Sequence, residues 1–327
     1  TARKATGSFY TPREIVDYMV DEALVAFLSD GADESEKKLR ALLGYGEEPH
    51  GFSDAEVERL IEKIDRLKAL DPAVGSGAFP MGILHKLVHV LGKLDPDNAR
   101  WKAKQIAKLD DAVMREEAER VFRENYDNYG RKLYLIENCI YGVDIQPIAV
   151  QIAKMRFFIS LIVDQKINPA APNLGVRALP NLETKFVAAN TLIGIERPKQ
   201  MLLRNPEIDR KEAELRKVRE QHFTARTPKA KARCRELDKK LRAEIADLLK
   251  TDGWDDKTAK QLAAWDPYDQ NASSPFFDPE WMFGVRDGFD VVIGNPPYLN
   301  VELVSSDQKA YFAENYRTFY KRYDVFG

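Results

Sequence analysis

The stretch that decides the fold is Leu70–Pro80, which reads Leu-Asp-Pro-Ala-Val-Gly-Ser-Gly-Ala-Phe-Pro. It places an acidic residue, Asp71, at the end of a short apolar segment, followed by two glycines and an apolar helical pattern. Glycine lets bare backbone approach a ligand, and turns at the carboxyl edge of a parallel sheet are common ligand sites. The stretch therefore predicts a strand, a ligand-binding turn and a helix of an open α/β fold.

The same turn differs from a dinucleotide-binding fingerprint. The place of the third glycine is taken by Pro80, and the next acid that ends a strand, Asp144, lies far beyond the roughly 20 residues expected. A ligand without a pyrophosphate therefore fits this turn better than NAD does. A tight turn with only a structural role is the alternative.

Four short segments have the pattern of buried strands, with helical patterns between them. The strand segments are Leu67–Asp71, Ile140–Asp144, Lys185–Ala188 and Phe289–Ile293. Helices are predicted over 78–91 and 147–163, and from Thr11-Pro12 to about Leu28, with Thr11 as a cap and Pro12 at the first helical position. We predict a Rossmann-like, open, mostly parallel α/β sheet with large helical insertions.

Three insertions interrupt this pattern, at about 30–66, 93–135 and 196–270. In the last one Lys, Arg and Glu dominate between Asp209 and Lys250, yet apolar residues recur at helical spacing, and Thr227-Pro228 breaks the segment in two. We predict a helical hairpin that projects from the sheet. Because charges of both signs are interleaved, both a basic arm for DNA phosphates and a solvated helical pair remain open.

Composition excludes several classes of protein. With 50 basic and 52 acidic residues the net charge of -2 argues neither for nor against nucleic acid. The two cysteines form neither a disulfide framework nor a zinc spacing, which favours a reducing cytoplasm, and no apolar run is long enough to cross a membrane. His85 and His89 share a helix face, but nothing nearby completes a metal site, so we predict a packing or surface role.

Asp144 closes the second predicted strand and is followed by Ile145. A carboxylate in this place can accept both hydroxyls of a ribose, while an apolar neighbour packs on the attached purine. This arrangement suits an adenosyl group. A helix cap for the segment that starts at Pro147 explains the aspartate equally well.

The most specific local signal is Asn295-Pro296-Pro297-Tyr298, directly after the fourth strand. Two prolines fix the backbone and remove two donors, so the Asn295 side-chain oxygen and the Pro296 carbonyl can both accept hydrogen bonds from one NH2 group. Tyr298 offers a face on which a planar base stacks. We interpret the segment as a loop that orients an amino nitrogen towards an electrophile.

Five motifs in this order resemble the gamma-group amino-methyltransferases of DNA. The motifs are Gly7 to Pro12, Asp71 to Gly77, Asp144-Ile145, Asn190-Thr191-Leu192 and Asn295 to Tyr298. The chain is most similar to the adenine-N6 methyltransferases of type IIG and related restriction-modification and phage-defence systems. The resemblance covers nearly the whole chain outside the three insertions.

The resemblance implies S-adenosylmethionine as the cofactor. Tyr10, Thr11 and Pro12 would wrap its methionine end, Asp71 would meet its amino group, and Ala73, Gly75 and Gly77 would form the floor of the pocket. Asp144 would hold the ribose and Ile145 the adenine face. Asn190 stands where many relatives have an acid that contacts the adenine amine, and an amide oxygen can accept the same hydrogen bond.

The mechanism that the resemblance implies is direct transfer of the sulfonium methyl group to the amine of a base rotated out of double-stranded DNA. Asn295 and Pro296 would position the amine, Pro297 would brace the loop and Tyr298 would stack on the base. Neither cysteine is placed as a nucleophile. A nuclease or specificity domain or subunit is an expected partner, and a membrane is not.

Two other readings of the sequence stay open. A methyltransferase acting on protein glutamine or on RNA must also present two acceptors to an NH2 group, but the segment before the first strand favours DNA. A cofactor-binding but inactive module is the second reading, and the intact loop at Asn295 argues against it. Cytosine has an exocyclic amine too, so adenine rests on the resemblance alone.

The resemblance also divides the chain into four regions. Residues 1–66 form an N-terminal helical region with the Gly-Ser-Phe-Tyr-Thr-Pro segment, 67–195 the cofactor-binding half, 196–270 the charged insertion and 271–327 the catalytic strand and loop. The sequence stops where the family's next motif begins, so we expect an incomplete methyltransferase fold. We further expect this chain to bind the cofactor without turnover on DNA.

Overall fold

The computed structural model describes residues 10–29, 31–107, 127–165, 168–170, 172–198, 205–297 and 305–317. Its strands are β1 (Ala69–Asp71), β2 (Ile140–Asp144), β3 (Phe186–Ala188) and β4 (Val291–Val292). Its α-helices are α1 (Arg13–Leu28), α2 (Asp33–Leu43), α3 (Asp54–Arg66), α4 (Ala78–Leu94), α5 (Ala99–Ala107), α6 (Asp127–Asn138), α7 (Pro147–Ile162), α8 (Pro206–Thr224), α9 (Pro228–Thr251), α10 (Asp256–Ala264), α11 (Pro279–Phe283) and α12 (Ser306–Asn315).

The four strands form one sheet in the order β3-β2-β1-β4, and every neighbouring pair is parallel. The predicted α/β fold with a parallel sheet is confirmed. Each observed strand lies inside its predicted segment, and the long helices after β1 and β2 begin at Ala78 and Pro147, as expected. The turn and helix signals at these positions are local, which is why the sequence locates them well.

Alternate strand residues point to two separate cores on opposite faces of the sheet. The first core includes Ala69, Ile140, Phe186 and Val291, packed against α1 to α4, α6 and α7. The second includes Leu70, Tyr141, Val143 and Val187, packed against α8 to α11. The sheet is therefore the middle layer between two helical layers.

The charged insertion supplies most of the second helical layer. It forms the predicted hairpin, with α8 capped by Asn205 and α9 capped by Thr227, whose side chain accepts from Ala230 N at 3.1 Å. The prediction that the hairpin projects from the sheet is wrong. Its apolar residues, including Leu241 and Ile245, pack in the core that Leu70 and Val187 share, because strands buried on both faces need a cover on each side.

Several charges of the hairpin are paired across its two helices. Lys211 Nζ lies 2.7 Å from Glu244 Oε2 across the two helices, and Asp238, fully buried, lies between Arg219 and Arg242. Other lysines and arginines of α9 are exposed and lie beside acidic residues, so the surface of the hairpin carries charges of both signs. The hairpin is thus a structural layer whose charged residues hold its helices together.

Two further observations concern His89 and the apolar length of the helices. His89 Nε2 lies 2.9 Å from the Gly44 carbonyl oxygen and its ring packs on Tyr45, which matches the packing role predicted for it. Among the described residues, none of the helices is both long and apolar enough to span a bilayer.

Candidate active site

The sequence-predicted residues meet at the carboxyl edge of the sheet because the strands are parallel and in register. Asp71 pairs with Gly142, so Asp144 lies two residues further along β2, beside Ala188 of β3. Leu70 pairs with Val292, so the chain leaves β4 at Gly294 next to the turn that follows Asp71. The turns after β1, β2 and β4 therefore form one neighbourhood.

Asp71 is the buried acid of this neighbourhood. Its side chain is 2% exposed, and its Oδ1 accepts a hydrogen bond from Ala73 N at 3.0 Å. Burial raises the pKa of Asp71 to about 8, and the nearby charge of Asp144 adds to the shift. A carboxyl group with this pKa is mostly protonated at neutral pH and ionises readily when a cation arrives.

Asp144 joins the turns after β1 and β2. Its Oδ2 accepts from Gly75 N at 2.8 Å and its Oδ1 accepts from Gln146 N at 2.8 Å. It does not cap α7, whose start has no side-chain cap, so the helix-cap alternative is wrong. Burial raises the pKa of Asp144. Ile145 N also bonds this carboxylate, and a carboxylate has about four acceptor positions, so Asp144 can still accept a hydroxyl group.

The two glycines of the first turn serve different purposes. Gly75 has φ +51° and gives its N–H to Asp144, so a left-handed backbone brings the turn to the carboxylate. Gly77 has φ +81° and precedes α4, where a β-carbon would lie 3.2 Å from Ala153 Cβ of α7. Close packing of α4 on α7 thus accounts for Gly77. The exposed Arg156 adds a hydrogen bond to the Ser76 carbonyl at 3.0 Å.

Asn295 lies at the open edge and is only partly buried. Its Nδ2 donates to Thr11 Oγ1 at 3.0 Å, a contact between two ends of the sequence. In the described part of the chain no donor occupies Asn295 Oδ1 or the Pro296 carbonyl, so both acceptors stay available. Pro297 is also partly buried, while Tyr298 lies outside the described residues.

The segment before α1 differs from its prediction. Thr11 does not cap the helix, and Pro12 is the residue that precedes the first helical position instead of occupying it. The Pro12 carbonyl accepts from Ile15 N and Val16 N at 3.1 Å, so the backbone itself closes the first turn. The Thr11 hydroxyl is therefore free for Asn295. Tyr10, ahead of it, is 81% exposed.

Sequence reasoning overlooked Gly294, where the last strand passes the buried acid. A β-carbon at this position would lie 2.4 Å from Asp71 Oδ1. The absence of a side chain lets β4 deliver Asn295 directly beside the turn after β1. A glycine between a buried strand and the Asn-Pro-Pro segment was the signal for this contact.

The loop after β3 completes the neighbourhood. Asn190 Oδ1 accepts from Leu192 N at 3.1 Å, so the oxygen proposed for an adenine amine already closes a local turn. Thr191 Oγ1 donates to the Pro72 carbonyl at 3.2 Å and ties this loop to the first turn. Ile145 is 54% exposed and offers an apolar surface at the same edge.

Helix α12 contacts the loop after β3 through two tyrosines. The Tyr311 hydroxyl accepts from Gly194 N at 3.0 Å, and the Tyr316 hydroxyl donates to the Leu192 carbonyl at 2.8 Å. Neither residue belongs to a motif, and nothing in the local sequence indicated these contacts. They fix the loop that carries Asn190.

The name groove is used for the carboxyl edge of the sheet between Asp71, Gly75 and Asn295, which coincides with neither of two cavities elsewhere in the described part of the chain. A cavity of about 430 Å³ lies at the amino ends of the strands, where Lys68, Tyr141 and Lys185 line it. Another of about 230 Å³ lies between α7 and residues 264–276. Neither Asp71 nor Asn295 lines either cavity, so the groove is defined by its converging polar groups.

Comparison with known proteins gives two matches. Residues 138–327, more than half of the chain, match the family described as Eco57I restriction-modification methylase. A protein of Methanocaldococcus jannaschii, named as a type II restriction enzyme and methyltransferase, is 30% identical over 203 residues. The match covers 59% of this chain and 15% of that relative, so the chain spans only a small part of the relative's length.

Proposed function

We propose that this chain, which belongs to the Eco57I restriction-modification methylase family, is the cofactor-binding and catalytic part of a DNA methyltransferase that transfers a methyl group from S-adenosylmethionine to N6 of adenine in a specific sequence. The family supports methylation of DNA over methylation of protein or RNA. The gamma group, adenine and the cofactor are our finer assignments from the order of the motifs.

One observation carries the proposal. Asn295 and Pro296 present two oxygen acceptors at the sheet edge, unoccupied by any donor of the described residues, beside the turn that contains Asp71 and Gly75. Two acceptors on one NH2 group fix both of its protons and leave the nitrogen lone pair pointing away from them. An amine held in this way is oriented for in-line attack on a methyl group delivered from that turn.

The residues at the edge fit S-adenosylmethionine. Asp71 is a buried acid that a cationic ammonium group stabilises in its ionised form, so it would meet the methionine amino group. Asp144 keeps an acceptor position for a ribose hydroxyl, and the exposed Ile145 offers an apolar face for adenine. When bound, the cofactor supplies an electrophilic methyl group on sulfur.

The remaining cofactor residues take supporting roles in this proposal. Tyr10, Thr11 and Pro12 border the groove ahead of α1, and Ala73 and Gly75 provide backbone at its floor. Asn190 Oδ1 accepts from Leu192 N and keeps a second lone pair for the adenine amine. Gly77 contributes through helix packing.

The target base is held by the chain's own acceptors. Asn295 Oδ1 and the Pro296 carbonyl accept the two amine protons of a base rotated out of double-stranded DNA, and Tyr298 stacks on its ring. The surrounding water takes up the proton that the nitrogen loses after methyl transfer. A nuclease or specificity region of the whole protein would choose the sequence.

The test is methylome sequencing of cells that express the full-length gene, beside an Asn295→Ala version. We expect one methylated adenine motif that disappears in the variant. Asn271→Ala, an exposed asparagine outside the five motifs, is the matched control and should keep the motif. Methylation that survives Asn295→Ala, or a gene that adds none, would refute the proposal.

A further inference from the structure

The orientation of the Asn295 amide decides whether the site can hold an amine. A primary amide has nearly the same shape when it is turned by half a rotation about its last bond, but its oxygen accepts hydrogen bonds while its nitrogen only donates them. If the NH2 end faced the groove, it would oppose an incoming amine. Productive binding therefore needs a partner that holds the nitrogen end elsewhere.

Thr11 is placed to be this partner. Its Oγ1 accepts from Asn295 Nδ2 at 3.0 Å, and it makes no capping hydrogen bond to α1. The free Asn295 Oδ1 is consequently the end that stays available at the groove. The contact explains why a hydroxyl residue precedes α1 although the helix does not use it as a cap.

Both sides of this contact are rigidly supported. Val16 and Val20 of α1 are buried against α4, so closely that a β-carbon at Gly82 would lie 2.9 Å from Val16 Cγ1. On the other side, Val291 and Ile293 of the β4 segment lie in the same apolar core. Packing in this core limits how far the two segments can shift relative to each other.

We propose that Thr11 is a positioning residue: the target amine selects the amide orientation in which the Asn295 oxygen faces it, and the Thr11 hydroxyl stabilises this orientation by accepting from the nitrogen end. The inference rests on the proposed function and deepens it, because it assigns to the segment before α1 a role in holding the substrate as well as the cofactor. Thr11 acts through Asn295 and does not itself touch the reacting atoms.

The test compares Thr11→Val with Thr11→Ser in the full-length protein. Valine keeps the shape and removes the acceptor, whereas serine keeps the hydroxyl. Loss of one orienting hydrogen bond should lower kcat roughly 2- to 10-fold in Thr11→Val, with Thr11→Ser restoring most of the rate. The dissociation constant of S-adenosylmethionine, measured by calorimetry, should change less than the rate does.

A double-mutant cycle separates orientation from general disturbance of the site. In an Asn295→Asp protein the carboxylate presents an acceptor whichever way it turns. Thr11→Val should then cost less than about 2-fold in kcat. An equal cost in both backgrounds would overturn the proposal, and so would a weakened cofactor affinity with kcat unchanged.

A binding measurement decides the question without turnover. Duplexes with adenine or with unsubstituted purine at the target position differ only in the exocyclic amine, and sinefungin can replace the reactive cofactor. Wild type should prefer adenine, and Thr11→Val should lose most of this preference while Thr11→Ser keeps it. If wild type shows no preference and no methylation, the proposed function fails; if it shows both and Thr11→Val is unchanged, only the present inference fails.

Discussion

Replacing Gly294 with alanine tests the close approach between the β4 segment and the turn after β1. The new β-carbon would lie 2.4 Å from Asp71 Oδ1, 3.2 Å from Asp71 Cγ and 3.4 Å from Pro72 Cδ. Comfortable contacts between non-bonded heavy atoms are near 3.5 Å, so the carboxylate or the strand has to move by roughly 1 Å. The carboxylate cannot move into solvent, since Asp71 is 2% exposed.

The expected cost follows from these contacts. Forcing extra volume into a packed site costs about 1–3 kcal/mol. If the Asp71 carboxyl rotates away, it also loses the hydrogen bond from Ala73 N at 3.0 Å, which is worth about 1 kcal/mol. We expect Gly294→Ala to lower the free energy of unfolding by about 2–4 kcal/mol and to weaken S-adenosylmethionine binding.

Urea unfolding followed by circular dichroism measures the first quantity and calorimetry the second. Gly46→Ala is the matched control, because no heavy atom lies within 4 Å of its β-carbon position and its φ is not positive; it should stay within about 0.5 kcal/mol of wild type. In an Asp71→Ala background the clash is gone. If Gly294→Ala costs the same with and without the Asp71 side chain, the steric reasoning is wrong.

Two further predictions concern pH and helix capping. The pKa of Asp71 is about 8 in the folded chain against an ordinary 3.8, so the folded state keeps a proton that the unfolded state releases, and stability falls as pH rises between these values. This slope is at most about 1.4 kcal/mol per pH unit, and Asp71→Asn should remove it when the free energy of urea unfolding is compared at pH 5, 7 and 9. Parallel pH profiles for the two proteins would contradict the prediction. Thr227→Ala should lower the free energy of unfolding by about 1 kcal/mol, because α9 loses the side chain that accepts from Ala230 N. Thr251→Ala, at the other end of α9, is the control and should cost less. Equal losses in the two variants would argue against a cap effect.

The elements of the fold could be predicted because their signals are local. Buried apolar runs that end in an acid, a glycine or a proline locate β1 and β2, and Pro147 marks the start of α7. The ends of several elements differ by a few residues, Thr11 does not cap α1, and β4 is reduced to Val291–Val292 within a longer apolar segment. Differences of this size are ordinary at element ends, where backbone pairing stops gradually.

The role of the charged insertion could not be predicted in the same way. Its sequence shows two amphipathic helices, but helical spacing does not say which surface an apolar stripe will cover. Leu215 and Ile245 pack against the second face of the sheet, although the nearest strand in sequence is far away. The mixed-charge surface predicted a projecting arm. The hairpin instead packs on the sheet, because Leu70 and Val187 have to be covered.

The sequence alone determined which chemical groups the site contains: a carboxylate after each of two strands, a glycine turn and the Asn-Pro-Pro loop. Tertiary structure decided which of these groups lie in contact. The pairing of β4 with β1 puts Gly294 on Asp71, and the packing of α1 brings Thr11 to Asn295, across 284 residues of sequence. Backbone hydrogen bonds are alike for any pair of strands, so the side chains that fill both faces of the sheet select which strands pair. Contacts such as these therefore cannot be predicted from any local segment of the sequence.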